Sequence, residues 1–130
     1  MKRIILILLF ILPFRLSAQK MIFCEKVRND GTEVNPASIF YIDPKGGFFN
    51  VLVKLDQGLT SDVVVFDLYL INDKTGKETF NSSIRLAVQP GNNWFYKEIT
   101  FFKKGNYHVY VYDGFDRLLS VGKVDVVFKE

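Results

Sequence analysis

The chain has 130 residues, 17 of them Lys or Arg against 14 Asp or Glu, with one His, one Cys and 15% aromatic residues. That length suits one compact domain and not two. One Cys and one His exclude an intrachain disulfide and a Cys/His zinc site.

The first residues set the compartment. Met1-Lys2-Arg3 is a positive start, Ile4 to Phe14 is an apolar run, and Leu16-Ser17-Ala18 precedes Gln19. This is the layout of a secretory signal peptide over residues 1–18. The run is shorter than the about 20 residues a membrane-spanning helix needs, so no transmembrane span is expected in the mature chain. Gln19 stands where a lipoprotein would carry Cys. Loss of Lys2, Arg3 and Arg15 leaves 14 basic residues against 14 acidic ones. The mature net charge is then near zero, and the electrostatic case for nucleic acid disappears. The expected organisation is a signal peptide, 1–18, and one domain, 19–130, secreted or periplasmic in the cell envelope.

The mature chain reads as short strands between turns. Met21 to Val27 is a first strand, and Arg28-Asn29-Asp30-Gly31 and Asn35-Pro36 break the chain. Ser38 to Ile42 is a short strand or edge segment. Phe48 to Leu55 alternates, with Phe49, Val51, Val53 and Leu55 on one face. Val63 to Ile71 is apolar on both faces, which places it centrally or under a cover. Glu78 to Val88 places Phe80, Ser82, Ile84, Leu86 and Val88 inward and Thr79, Asn81, Ser83 and Arg85 outward. Trp94 to Phe102 follows, with Phe95, Ile99 and Phe101 inward.

Lys103-Lys104-Gly105-Asn106 is a turn composition, since Gly and Asn tolerate positive φ. The strand after it puts Tyr107, Val109 and Val111 on one face and His108, Tyr110 and Tyr112 on the other. Asp113-Gly114-Phe115-Asp116 turns the chain into a last strand, Leu118 to Phe128. In it Val124, Val126 and Phe128 face inward, and Gly122 suggests a bulge. No helical period of useful length interrupts this pattern. The fold class is all-β, a single antiparallel sandwich of seven to eight strands, with a small closed barrel as the alternative.

Gly105-x-Tyr107-x-Val109-x-Val111 resembles the tyrosine corner of immunoglobulin-like sandwiches, whose hydroxyl ties down the preceding connection. Phe23-Cys24-Glu25, Gly46-Gly47 and Tyr110-Val111-Tyr112-Asp113 extend the likeness to small secreted β-sandwich proteins of Bacteroidota-type bacteria, with an immunoglobulin-like or fibronectin type III-like architecture. The resemblance implies that Tyr107 is a structural corner residue. It implies an architecture and carries no activity. There is no cysteine pair to bridge two sheets and no tryptophan on the third strand, so the likeness is not to antibody domains.

No catalytic set stands out. His108 lies in mid-strand, without a nucleophile elbow anywhere in the chain. Asp113 and Asp116 are turn residues, read first as caps of backbone donors, with calcium as the sharper option. Cys24 reads as a small buried hydrophobe, the alternative being a reactive or intermolecularly linked thiol. The expectation is a non-enzyme without cofactor or metal.

The resemblance puts the Val63–Ile71, Gly105–Asp113 and Leu118–Phe128 strands in one sheet. Its outward side would then carry Val65, Asp67, Tyr69, His108, Tyr110, Tyr112, Leu119, Val121 and Lys123. Exposed apolar patches mark interaction sites. Tyr69, His108, Tyr110, Tyr112 and Val121 are therefore the candidate face for a protein partner or self-association, unless the aromatic row only stabilises the sheet by cross-strand pairing. Trp94 and Tyr96 form the alternative, a glycan-binding pair in a small carbohydrate-binding module.

Overall fold

The computed structural model describes residues 19–130, so the expected signal peptide lies outside the described residues. Nine strands follow in order: β1 Lys20–Val27, β2 Glu33–Pro36, β3 Ile39–Ile42, β4 Gly47–Lys54, β5 Val63–Ile71, β6 Glu78–Ala87, β7 Trp94–Phe101, β8 Gly105–Asp113 and β9 Leu118–Phe128. They form two sheets, β2-β1-β4-β7 and β3-β9-β8-β5-β6. Among the described residues no helix is long and apolar enough to cross a membrane.

The period-two pattern of the sequence is what closes the sandwich. Inward side chains of β4 (Phe49, Val51, Val53) meet those of β5 (Val64, Phe66, Leu68), β8 (Tyr107, Val109, Val111) and β9 (Val124, Val126). Phe49 stacks between Phe40, at 4.0 Å between ring centroids, and Phe101, at 4.5 Å. Burying an aromatic or aliphatic side chain of this kind is worth roughly 1.5–3 kcal/mol. β8 lies between β9 and β5, which makes it the spine of its sheet.

The structure departs from the sequence expectation in four places. There are nine strands, because Asn35-Pro36 belongs to a short strand paired with β1 and does not simply break the chain. One pair is parallel: the chain crosses between sheets at Ala37 and Ser38, which sets β3 alongside β9. Gly122 is no bulge; a Cβ there would stand 2.5 Å from Met21 Sδ and 3.0 Å from Phe23 Cζ, so the glycine lets β1 approach β9 across the core. The bulges lie elsewhere, at Asn81 in β6 and Leu119 in β9. Each inserts one unpaired residue and reverses the alternation beyond it. Phe80 therefore points outward, and Leu119 packs on the core while Leu118 takes the outward place.

Candidate functional site

The register of β9, β8, β5 and β6 aligns outward side chains in rows. Lys123, His108, Tyr69 and Phe80 form one row; Val121, Tyr110, Asp67 and Ser83 the next; Leu118, Tyr112, Val65 and Arg85 the third. Tyr69, His108, Tyr110, Tyr112 and Val121 thus share one surface. Tyr69 meets Phe80 and Tyr110 edge to face, at 5.7 and 5.4 Å between centroids. Phe80 is 57% exposed and Val121 46%. Ile39 and Tyr41 of β3, Leu118 and Val127 add further exposed apolar surface on the same side.

The bulge at Asn81 also brings a carboxylate here. Glu78 Oε2 accepts hydrogen bonds from His108 Nδ1 at 2.7 Å and from the Tyr110 hydroxyl at 2.5 Å. A carboxylate only accepts, so Nδ1 carries the hydrogen. The Tyr110 and His108 donors hold the Glu78 carboxyl below its ordinary value. The Glu78 bond, with some burial, pushes the Tyr110 phenol up to about 12. Burial, followed by the charge of Asp67, raises Tyr112. Asp67 accepts from the Ser83 hydroxyl at 2.6 Å. His108 is oriented as the base of a triad would be, but among the described residues no hydroxyl or thiol bonds its other ring nitrogen. Among the described residues no nucleophile converges on it.

Sequence reasoning missed Glu78 and Phe80, because strict alternation places them away from the tyrosines. The one available signal was Ser82, a polar residue at an expected core position beside Asn81 and Ser83.

The other sheet is different on its outer side. The β1–β2 hairpin bends back over it: Glu33 meets Lys54 at 3.0 Å, although Lys54 is registered with Lys20 at the far end of β1. Beneath the hairpin Leu52 and Cys24 are wholly buried, and Asn50 donates to the Glu25 carbonyl at 2.9 Å. Burial pushes the Cys24 thiol above its ordinary value. Gly31, with φ +85°, lies so close to the Trp94 ring that a Cβ would sit 2.7 Å from it. The turn therefore occupies part of the indole that a sugar would need. Trp94 and Tyr96 do lie parallel, 6.4 Å apart, and border a cleft of about 370 Å³ with Gln89 and Asn92.

Two further residues have structural settings. Tyr107 is buried and its hydroxyl donates to the Lys103 carbonyl at 2.7 Å, four residues upstream. Asp113 is buried at the β8–β9 turn, accepting from the Phe115 and Arg117 amides and from Arg117 Nε. Burial raises its carboxyl, but these donors outweigh it and hold it below the ordinary range. Both oxygens are thus taken as a turn cap, and Asp116 adopts positive φ beside it. Among the described residues no three His, Cys, Asp or Glu gather as a metal site would require.

No family model matches the chain, and no curated protein matches it. Among solved structures, an immunoglobulin-like protein of Pseudomonas aeruginosa is similar in fold, with a TM-score of 0.51 and 18% identity over 82% of this chain and 91% of that one. The fold is immunoglobulin-like. A superoxide reductase (neelaredoxin) of Ignicoccus hospitalis aligns at a TM-score of 0.41 and 13% identity, over 83% of this chain and 82% of that one. The immunoglobulin-like sandwich thus carries two unequal outer sides, and the aromatic one belongs to the five-stranded sheet.

Proposed function

We propose that this protein is a secreted or periplasmic, non-enzymatic binding module that takes a protein partner on the outer face of its five-stranded sheet. One observation carries the reading: among the described residues a hairpin closes over Leu52 on one outer face, while nothing lies over the tyrosines of the other. The sheet edges support it. β2 and β3 have four residues each, β2 includes Pro36, β6 is bulged, and β7 has Lys97 facing the core side. Such devices discourage strand addition, which leaves the face as the place for an encounter. Tyrosines suit it, with a rigid apolar body and a polar tip.

The test is capture from native envelope and secreted fractions with the wild-type protein and with Tyr112→Ser/Val121→Ser, matched for melting temperature. A protein retained by the first and lost by the second is the expected result. A partner retained equally by both would exclude this face.

A second reading, glycan binding at Trp94 and Tyr96, is favoured by the cleft beside them with its amide side chains. Saturable binding on a glycan array, abolished by Tyr96→Ala, would support it. An empty array would remove it.

A further inference from the structure

The bare face is not uniformly apolar. Its β5–β6–β8 end carries Asp67 and Glu78, with Asp73 bonded to Asn106 at 2.8 Å and Asp125 registered beside it. Each of the two inner carboxylates is fixed by a neighbour through one oxygen: Glu78 through Oε2 and Asp67 through Oδ1. Among the described residues Glu78 Oε1 and Asp67 Oδ2 accept no hydrogen bond. The nearby cations do not answer them. Arg85 and Lys123 lie on the same face, and Lys74 and Lys77 in the β5–β6 loop, yet among the described residues none of these four pairs with Glu78 or Asp67. On the same face Tyr110, bonded to Glu78 and registered with Asp67, meets Tyr69 edge to face, and Tyr69 meets Phe80.

Aromatic rings and a solvent-accessible carboxylate together complement a cation that also has a flat apolar surface. A cation over a tyrosine or phenylalanine face is attracted by the ring quadrupole, more strongly as water is excluded. Guanidinium fits better than ammonium, because it stacks on rings while its edge donates to carboxylates. We infer that this end of the face is a docking site for an arginine-bearing segment of a partner protein, with the guanidinium seated on Tyr69, Phe80 and Tyr110 and paired with Glu78. A second copy of the chain is a poorer occupant, since its matching face offers two cations, Arg85 and Lys123, but adds four carboxylates of its own. The inference rests on the proposed binding role of the face but is narrower, as it concerns one end and one kind of side chain.

The experiment is a titration of the full protein with oligo-arginine, oligo-lysine and oligo-citrulline peptides, read by calorimetry and by NMR shifts. Oligo-arginine should bind saturably, oligo-lysine several-fold more weakly and oligo-citrulline not at all. The shifts should centre on Tyr69, Phe80 and Tyr110. Glu78→Gln should weaken oligo-arginine by about 10-fold, the scale of one lost charge-assisted bond, and Asp67→Asn should weaken it less. Tyr112→Ser/Val121→Ser, which alters the apolar end, should leave oligo-arginine affinity within about two-fold. Equal binding by wild type and a folded Glu78→Gln, shifts centred elsewhere, or no preference for arginine over lysine would overturn the inference. So would a reversible dimer whose interface maps to these residues. If partner capture depends on Tyr112 and Val121 but not on Glu78, the face binds protein and the arginine assignment alone is wrong.

Discussion

The two outer faces of this sandwich begin from similar sequence material, and at Leu52 and Val121 they end in opposite states. Leu52 on β4 and Val121 on β9 are both aliphatic residues pointing away from the core, yet Leu52 is wholly buried and Val121 is 46% exposed. The difference is the hairpin of β1 and β2, which closes over the four-stranded sheet with Gly31 against Trp94 and Glu33 on Lys54. The lesson is that an outward apolar residue is evidence of function only once the chain's own cover has been looked for. On the five-stranded sheet none lies over the tyrosines among the described residues.

The largest expected effect tests that cover. Leu52→Ala should cost about 2–5 kcal/mol, as for a leucine truncated in a packed core. Val121→Ala should stay within about 0.5 kcal/mol. Urea denaturation of the pair would decide it, and equal costs would abolish the distinction between the faces. Next, Gly31→Ala should cost about 1–2 kcal/mol, because a Cβ is strained at φ +85° and has no room against the indole. It should also lift the turn, so that the single tryptophan's emission moves to the red. Unchanged emission and stability would mean that the turn does not hold Trp94.

The smallest effect sharpens the bare face. Glu78→Gln should leave the fold stable and bring the Tyr110 phenol from about 12 back toward its ordinary 10.0, seen as phenolate absorbance in an alkaline titration. The sign follows from linkage. A raised phenol contributes stability that is complete below pH 10 and lost as the pH climbs through about 12. The depressed Glu78 carboxyl contributes above its ordinary 4.5 and loses its contribution as the pH falls through the lower folded value. A Tyr110 titration indifferent to Glu78 would mean that the bond does not form in solution.

Much of the fold was legible because period-two alternation is a direct record of which side chains meet the core. Phe49, Val51 and Val53, or Tyr107, Val109 and Val111, leave no other way to bury themselves. The tyrosine row of β8 was legible for the same reason, and its register with Tyr69 and Val121 followed from the sheet order. What alternation cannot record is a change of parity. Asn81 and Leu119 shift it without a distinctive residue, so Phe80 and Glu78 were misplaced or overlooked and Leu119 was assigned outward. Nor does local pattern show the hairpin folding back, since Lys54 and Glu33 are 21 residues apart and meet only through tertiary structure.

The bulge in β6 has a consequence for chain length. Ser82 pairs with Leu68 and Phe80 with Tyr69, so Asn81 is a supernumerary position between two already correct neighbours. Excising it would leave Glu78, Phe80 and the residues after Ser82 on their present sides and convert β6 into an unbroken strand. A deletion, ordinarily the most disruptive change a strand can suffer, would here be quieter than many substitutions. Two sequences differing in length by that one residue could display the same surface while appearing, to anyone aligning alternating letters, to face opposite ways.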